Sequence, residues 1–419
     1  MDFGNFRCIC VVGAGPAGIF AAKELVNNNH KVVLLNRDIK PGGLAEYGIY
    51  PSKTKLKDGL RKQFISILNH ENLNYIGNLA IGKRADYTLD DLRTMGFDAI
   101  LVSIGAQGTK WLGVPGEELT GCYHAKDIVY HYNLLPPYSS REFDFGKKVA
   151  IIGVGNVMMD IARYLITEKK VEAVTALARR GPAEVKFSRK ELEYVIKNLD
   201  MDDFHHEMEK VSDEMIALGQ DPNESLQFFD QAYANADETN SNTVLKIKFL
   251  SSPKAIYGDD KNKVENLEIE YNKLYAQQGV TKARGTGIRS IMDVDSVIYA
   301  IGDSIDPNLG LPYDRNEYVI NPHPRFPIND ISYECFDPAQ QQVIEDVFLA
   351  GWSRKTSDGQ VGNARKDGVS AVQAIEMYLK TLETPPKANL DKIISNLLGE
   401  KTKFVDKYEL NALMAEENK

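Results

Sequence analysis

The chain has 419 residues, 43% of them hydrophobic and 26% charged, with a formal net charge of -9. That is room for two or three domains, and its 32 glycines follow no strict period, which excludes a collagen-like fibre and suits an α/β enzyme with many tight turns. The negative balance argues against a nucleic-acid binder, no apolar run reaches transmembrane length, and no two of the four cysteines form a C-x-x-C pair, so a disulfide scaffold, a dithiol relay and a thiolate metal site are all poorly supported.

In chain order, Cys8 to Val12 is an apolar run, followed by the turn VVGAGPAG (Val11 to Gly18), helical spacing over Ala17 to Asn27 and a second strand over Lys31 to Leu35. This is the strand–turn–helix–strand context that gives a glycine fingerprint its meaning. Cys8 and Cys10 alternate within the first strand and read as buried free thiols. The N-terminus runs straight into that strand, leaving no room for a secretory signal, so a cytoplasmic protein is expected. PGGLAEYGIYPSK is a Gly/Pro-punctuated loop. Leu56 to Asn69 reads as a helix, near a basic run of Lys53, Lys55, Lys57, Arg61 and Lys62 that could steer an acidic partner.

Phe97 to Ala106 (FDAILVSIGA) is a buried strand ending in a small-residue turn at Gly105. A polar connector over 136–148 leads to a second turn, VAIIGVGN (Val149 to Asn156), with its helix over Gly155 to Lys169 and its second strand over Ala173 to Ala178. Phe187 to Leu199 and Met201 to Leu218 are predicted helices. Gln220 to Thr243 is predicted to be a turn-rich surface excursion. Leu245 to Leu250 and Val264 to Tyr275 alternate as antiparallel strands do. VDSVIYAIGD (Val294 to Asp303) then repeats the 97–106 pattern. DVFLAGW (Asp346 to Trp352) is another buried strand, Arg365 to Leu382 a helix, and 388–419 mainly helical. The repeat predicts two nested, three-layer Rossmann-like α/β domains, each built to bind a nucleotide. Residues 1–106 begin the first, 107–330 form the inserted second, and 331–419 complete the first.

The first turn carries G-x-G-x-x-G as Gly13, Gly15 and Gly18, with Pro16 and Ala17 between. Gly13 allows the tight turn, Gly15 lets the backbone approach a pyrophosphate, and Gly18 allows close helix–strand packing. An acid is expected at the end of the second strand to hold a ribose hydroxyl. Asn36 stands there, followed by Arg37, and can still hydrogen-bond a hydroxyl. The second turn keeps Gly153 and Gly155 but has Met158 in the third place, which should hold its helix farther from the strand or tilt it. Its second strand ends in Arg179-Arg180-Gly181-Pro182. Two guanidiniums match a 2′-phosphate, where a site for NAD would carry a carboxylate. NADP(H) is therefore expected in the second domain and the tightly held cofactor in the first. The histidines show no metal-ligand spacing, and no metal site is expected.

GAGPAG with GGLAEYGI, GVGNVMMDIAR, ARRGPAEVKFS, RGTG, VIYAIG and AGW, in this order, resemble the adrenodoxin reductase-like ferredoxin–NADP reductases, and also the FAD/NADPH module of the glutamate synthase small subunit, over roughly residues 5 to 375. The resemblance implies non-covalent FAD in the first domain, NADPH in the second, hydride transfer from nicotinamide to flavin N5, and single electrons passed to a ferredoxin or flavodoxin. It implies that Gly43 and Leu44 lie along the FAD, with Gly48 and Ile49 closing that loop. It places Gly351 and Trp352 beside the flavin and nicotinamide, and Gly359 and Val361 against the flavin pyrimidine edge. Gly155, Asn156 and Val157 would contact the NADPH diphosphate, Arg179 and Arg180 its 2′-phosphate, and Glu191 would lie near the nicotinamide. Trp352 and Glu191 are the expected catalytic-site side chains, since hydride transfer asks for positioning rather than a general base. The family's Asp-His is Ser52-Lys53 here, and its Lys-Arg-Gly-Pro after Gly-Trp is Arg354-Lys355-Thr356-Ser357. The alternatives are an NADPH-oxidising FAD subunit of a glutamate synthase-like complex and a non-enzymatic FAD-binding module.

Overall fold

The computed structural model describes residues 6–239, 241–356, 361–383, 389–399 and 403–417. The chain forms two compact units, residues 1–109 with 303–419, and residues 110–302.

The first unit begins β1 (Cys8–Val12), α1 (Pro16–Asn27), β2 (Lys31–Leu35), α2 (Leu44–Tyr47), α3 (Thr54–Leu68), β3 (Leu73–Gly77), α4 (Leu89–Thr94), β4 (Ala99–Val102) and β5 (Gly108–Thr109). The five residues of β1 are all buried, as a parallel strand covered on both faces requires. Pro16 sits at the first turn of α1, where its missing N–H costs nothing. Thr88 and Asp91 form a reciprocal capping box that starts α4.

The second unit runs β6 (Cys122–His124), α5 (Ala125–Tyr132), β7 (Lys148–Ile152), α6 (Asn156–Tyr164), β8 (Ala173–Leu177), α7 (Arg189–Glu193), α8 (Met201–Ala217), α9 (Pro222–Asn235), β9 (Val244–Lys248), β10 (Ser251–Gly258), β11 (Val264–Gln277), β12 (Val280–Asp293) and β13 (Ser296–Tyr299). Its main sheet, β6-β13-β7-β8-β9, is parallel throughout. A second sheet, β10-β11-β12, is antiparallel.

The chain returns to the first unit with β14 (Asp303–Ser304), β15 (Tyr313–Asp314), β16 (Glu317–Tyr318), β17 (Glu334–Asp337), β18 (Gln342–Leu349), α10 (Val361–Leu379), α11 (Leu390–Leu398), β19 (Val405–Asp406) and α12 (Lys407–Glu417). The first unit's sheet has the order β17-β18-β4-β1-β2-β3-β19, with a parallel centre and an antiparallel strand at each edge. One core packs α1, α3 and α10 on one face through Ile19, Phe64 and Ile375. The other face is covered by Ile305, Leu309, Tyr318 and Ile393.

Four expectations change. The return begins at Asp303 rather than 331, because β14 pairs with β5 and Leu309, Leu311 and Tyr318 join the first unit's core. Residues 220–243 contain the helix α9, capped by Asp221 with Pro222 at its start and burying Phe229 and Ala232. In this polar stretch Asp221-Pro222 is a helix N-terminus. β9 is parallel to β8, not antiparallel. Its alternation arises because Lys246 and Lys248 reach the α8 acids Asp203 and Glu207 and the cap residue Asp200. The helix predicted over 187–199 is only the short α7 and a 3-10 turn over Ile196–Asn198, where the Asn198 side chain donates to the Ser241 and Thr243 carbonyls instead.

Candidate functional site

In the first unit, Gly13 has φ +105° and donates to the Leu35 carbonyl at 2.8 Å. A Cβ on Gly13 would stand 2.6 Å from the Ser103 carbonyl oxygen. A Cβ on Gly15 would meet nothing within 4 Å, and one on Gly18 would stand 2.0 Å from the Gly13 carbonyl oxygen. Turn, open approach and tight packing thus fall to the three glycines in that order. No side chain caps α1, so the N–H groups of Ala17 and Gly18, behind Pro16, are left for an anion.

The loop after β2 closes against this turn. The Gly42 N–H donates to the Ala14 carbonyl at 2.7 Å, and a Cβ on Gly43 (φ +51°) would stand 3.2 Å from Gly15 Cα. Leu44 and Ile49 are half-buried apolar side chains beside Gly48, whose N–H donates to the Leu44 carbonyl at 2.9 Å. The turn after β4 is tied to the turn after β18: the Gly105 N–H donates to Ser353 Oγ at 3.0 Å. Gly351 has φ +63°, and its N–H donates to Asp367 at 2.6 Å. Asp367 also accepts from Arg354 Nε at 3.0 Å and from the Tyr333 hydroxyl at 3.2 Å. Trp352 is half-buried on this turn, and the half-buried Val361 opens α10. Gly359 lies outside the described residues. Sequence reasoning missed Ser353 and Asp367. The Arg354–Asp367 pair spans thirteen positions of the numbering, a separation no local pattern marks.

Asn36 has another occupation than the one expected. It is buried, its amide donates to the Asp38 and Lys40 carbonyls at 2.8 and 3.0 Å, and its Oδ1 accepts from the Ala14 N–H at 3.3 Å. Arg37 is exposed and bonded to Asp38 and Gln107. The basic run is not a uniform patch. Lys57 is buried, and Arg61 grips the buried Glu46 through Nε and Nη2 at 2.7 and 2.6 Å. Burial alone would raise the Glu46 carboxyl, but Arg61 and Lys40 outweigh it and hold its pKa below the ordinary value.

In the second unit, Gly153 has φ +117° and its N–H donates to the Leu177 carbonyl at 3.0 Å. A Cβ on Gly155 would again meet nothing within 4 Å. Asn156 starts α6, and its Oδ1 accepts from the Ser188 N–H at 2.9 Å; Val157 is exposed and Met158 fully buried. Arg179 is exposed beyond the end of β8, its carbonyl fixed by Asn272 Nδ2 at 2.9 Å. Arg180 is half-buried and donates to the Thr281 carbonyl at 3.2 Å. The nearest acid in the turn, Glu184, accepts from the Gly181 N–H at 3.0 Å. Glu191 lies in the first turn of α7, its N–H donating to the cap residue Ser188.

The chain as a whole is matched by known proteins. The pyridine nucleotide-disulphide oxidoreductase family pattern fits residues 7–334. The chain belongs to that family. It is 28% identical to the NADPH-ferredoxin reductase FprA of Mycobacterium leprae, over 88% of this chain and 83% of that protein. It is 27% identical to the mitochondrial NADPH:adrenodoxin oxidoreductase of Arabidopsis thaliana, over 84% of this chain and 78% of that one. The structure of Mycobacterium tuberculosis FprA in complex with NADPH has the same fold, with a TM-score of 0.79 at 23% identity, covering 97% of this chain and 93% of that one. The dithiol chemistry in the name of the pyridine nucleotide-disulphide oxidoreductases has no counterpart here. All four cysteines are free. Burial pushes the Cys8, Cys122 and Cys335 thiols up to about 12, and Cys10 well above its ordinary value. Thiols held protonated are poor nucleophiles and poor ligands.

Proposed function

We propose that the chain is an FAD-dependent reductase that oxidises NADPH and passes the electrons singly to a ferredoxin-type iron–sulfur protein or a flavodoxin. One observation carries this: both glycine turns are open where a pyrophosphate approaches, and the second alone is followed, after its second strand, by two adjacent arginines, Arg179 and Arg180. The residues fit both groups. The first unit offers a cradle of left-handed glycines (Gly13, Gly43, Gly105 and Gly351) that a Cβ would fill or strain. The second offers Arg179 and Arg180 for a 2′-phosphate. The relatives' names, an NADPH-ferredoxin reductase and an NADPH:adrenodoxin oxidoreductase, agree with this reading.

When bound, the two cofactors supply hydride transfer and its division into single electrons. The chain's task is to bind and orient. In this reading Gly13, Gly15, Pro16, Ala17 and Gly18 hold the FAD pyrophosphate, Gly43, Leu44, Gly48 and Ile49 line the cofactor, and Arg37 remains at the adenosine end. Asp367 and Ser353 fix the turns that present Gly105, Gly351 and Trp352. Trp352 is the proposed aromatic shield, and Glu191 the proposed acid on the nicotinamide side. Gly155, Asn156 and Val157 take the NADPH diphosphate.

Among the described residues no helix is long and apolar enough to cross a membrane. A cytoplasmic location belongs to the same proposal, in keeping with four free thiols, which suit a reducing compartment. The test is an anaerobic titration of the purified protein with NADPH and with NADH, read as bleaching of the flavin absorption, then reoxidation by ferredoxin and by flavodoxin. Bleaching by NADPH at far lower concentration, and rapid reoxidation by one of the two, is expected. Preference for NADH, or a protein that carries no flavin, would overturn the reading.

A further inference from the structure

A lysine stands beside the second glycine turn that its fingerprint does not include. Lys186 forms an isolated parallel bridge with Gly155, and its N–H donates to the Val154 carbonyl at 2.9 Å. Residues paired in a parallel bridge project to the same side of strands that lie ~4.8 Å apart. Gly155 has no side chain, and the space where its Cβ would stand is open for 4 Å. The Lys186 stem therefore rises along the edge of the space through which a pyrophosphate approaches the second glycine. Lys186 is exposed, and among the described residues its ammonium makes no hydrogen bond or ion pair.

The first unit makes the same contact with a different residue. There the Gly42 N–H donates to the Ala14 carbonyl at 2.7 Å, so Gly42 and Lys186 hold equivalent places. In the first turn this position leads into Gly43, and the backbone itself closes on Gly15. In the second turn it carries a cation. The Asn156 side chain at the start of α6 is a neutral amide whose Oδ1 is already taken by the Ser188 N–H. A pyrophosphate brought there meets the N–H groups of α6 and has one side-chain cation within the same ladder.

We propose that Lys186 is a pyrophosphate ligand of the NADPH site, dividing the cofactor's charge with Arg179 and Arg180, which take the 2′-phosphate. This rests on the assignment of NADPH to the second unit. The two phosphate groups can be separated by probe. ADP-ribose carries the pyrophosphate without the 2′-phosphate, and 2′-AMP carries the 2′-phosphate without the pyrophosphate.

Calorimetric titration of the flavin-loaded protein with NADP+, ADP-ribose and 2′-AMP provides the test. Lys186→Gln is expected to weaken NADP+ and ADP-ribose by roughly 10- to 100-fold, the size of a charge-assisted hydrogen bond, and to leave 2′-AMP within about twofold. Lys186→Arg should restore most of the loss. Arg179→Gln should show the reverse selectivity, weakening NADP+ and 2′-AMP while sparing ADP-ribose. Unchanged ADP-ribose binding by Lys186→Gln overturns the proposal and leaves the NADPH assignment standing. Equal loss of all three probes also overturns it, since a disturbed turn explains that. A protein whose unaltered form binds neither NADP+ nor 2′-AMP fails at the assignment itself.

Discussion

The third fingerprint position is Gly18 in the first unit and Met158 in the second, and the residue facing each turn differs as well. Opposite Gly18 stands Ser103, whose N–H donates to the Val12 carbonyl and whose Oγ donates to the Gly13 carbonyl at 2.9 Å. A Cβ on Gly18 would lie 2.5 Å from that Oγ as well as against the backbone. Opposite the second turn, Ala300 takes the Ser103 place, its N–H donating to the Ile152 carbonyl, and it has no hydroxyl. The first bond of α1, from the Ile19 N–H to the Gly15 carbonyl, is 2.9 Å, whereas its counterpart from Met159 to Gly155 is 3.3 Å. α1 then runs regularly to Asn27, while α6 passes into a π-turn over Leu165–Lys169. The third glycine is thus a packing requirement, set by the Gly13 carbonyl of its own turn and by Ser103 beside it. The open side at the second glycine, common to both turns, is the cofactor requirement.

A pair of substitutions breaks or sharpens this comparison. Met158 is fully buried, so Met158→Ala should lower stability by about 2–5 kcal/mol through the cavity it leaves. Gly18→Ala should also destabilise, by about 1–3 kcal/mol, because it adds a methyl where the backbone already stands. The first change should leave flavin content intact, and the second should reduce it. Thermal unfolding with flavin release checks both. A neutral Met158→Ala would mean that the second turn tolerates a smaller third residue and that Met158 is incidental.

The units also differ in how their acid sensitivity is built. α5 of the second unit is capped by the buried His124, whose Nδ1 accepts from the Lys126 N–H at 3.2 Å. Burial, with Lys126 nearby, lowers its pKa from 6.5 to about 4. A protonated ring nitrogen cannot accept that bond. The neutral form is the one the fold prefers. The associated stability is therefore full above the unfolded value of 6.5 and is lost as the pH falls through the window down to about 4. On the order of 3 kcal/mol is at stake. In the first unit the comparable group, Glu46, has a depressed carboxyl pKa and loses its contribution only below the ordinary carboxylate value of 4.5. His124→Asn, which keeps a cap without a titration, should flatten the fall in melting temperature between pH 6.5 and 4. Unchanged slopes in the two proteins would count against a role for His124.

Much of the architecture was legible because it is local. The two turns, the nested order and the repeated strand over 294–303 are each written in a few adjacent residues, and β13 at Ser296–Tyr299 lies within that repeat. What escaped depends on partners far along the chain. The lysines of β9 look solvent-directed until the α8 acids are placed, and 220–243 looks like a turn-rich excursion until α9 is seen to bury Phe229. At the site, the residue types of both fingerprints could be read, but Asp367, Ser353 and Lys186 could not. Their roles come from contacts with Gly351, Gly105 and Gly155. Within the basic run, likewise, sequence does not show that Arg61 answers a buried Glu46.

Asn36 offers the finest test, because its two readings predict opposite signs. A ribose ligand at this position should improve when made acidic, since a carboxylate is the stronger acceptor for a hydroxyl. The structure instead uses both polar atoms of the amide internally: Nδ2 satisfies the Asp38 and Lys40 carbonyls, and Oδ1 receives the Ala14 N–H of the glycine turn. Asn36→Asp keeps the acceptor but removes the donor, leaving two carbonyls facing a buried negative charge. It should cost about 1–3 kcal/mol of stability and loosen the flavin, because Ala14 and the Gly42 loop that bonds to it are held through this side chain. Flavin dissociation measured by fluorescence recovery decides the matter. Tighter retention in Asn36→Asp would return Asn36 to the ribose, whereas faster release at unchanged NADP+ affinity would make it the peg that joins the first turn to the loop closing over it.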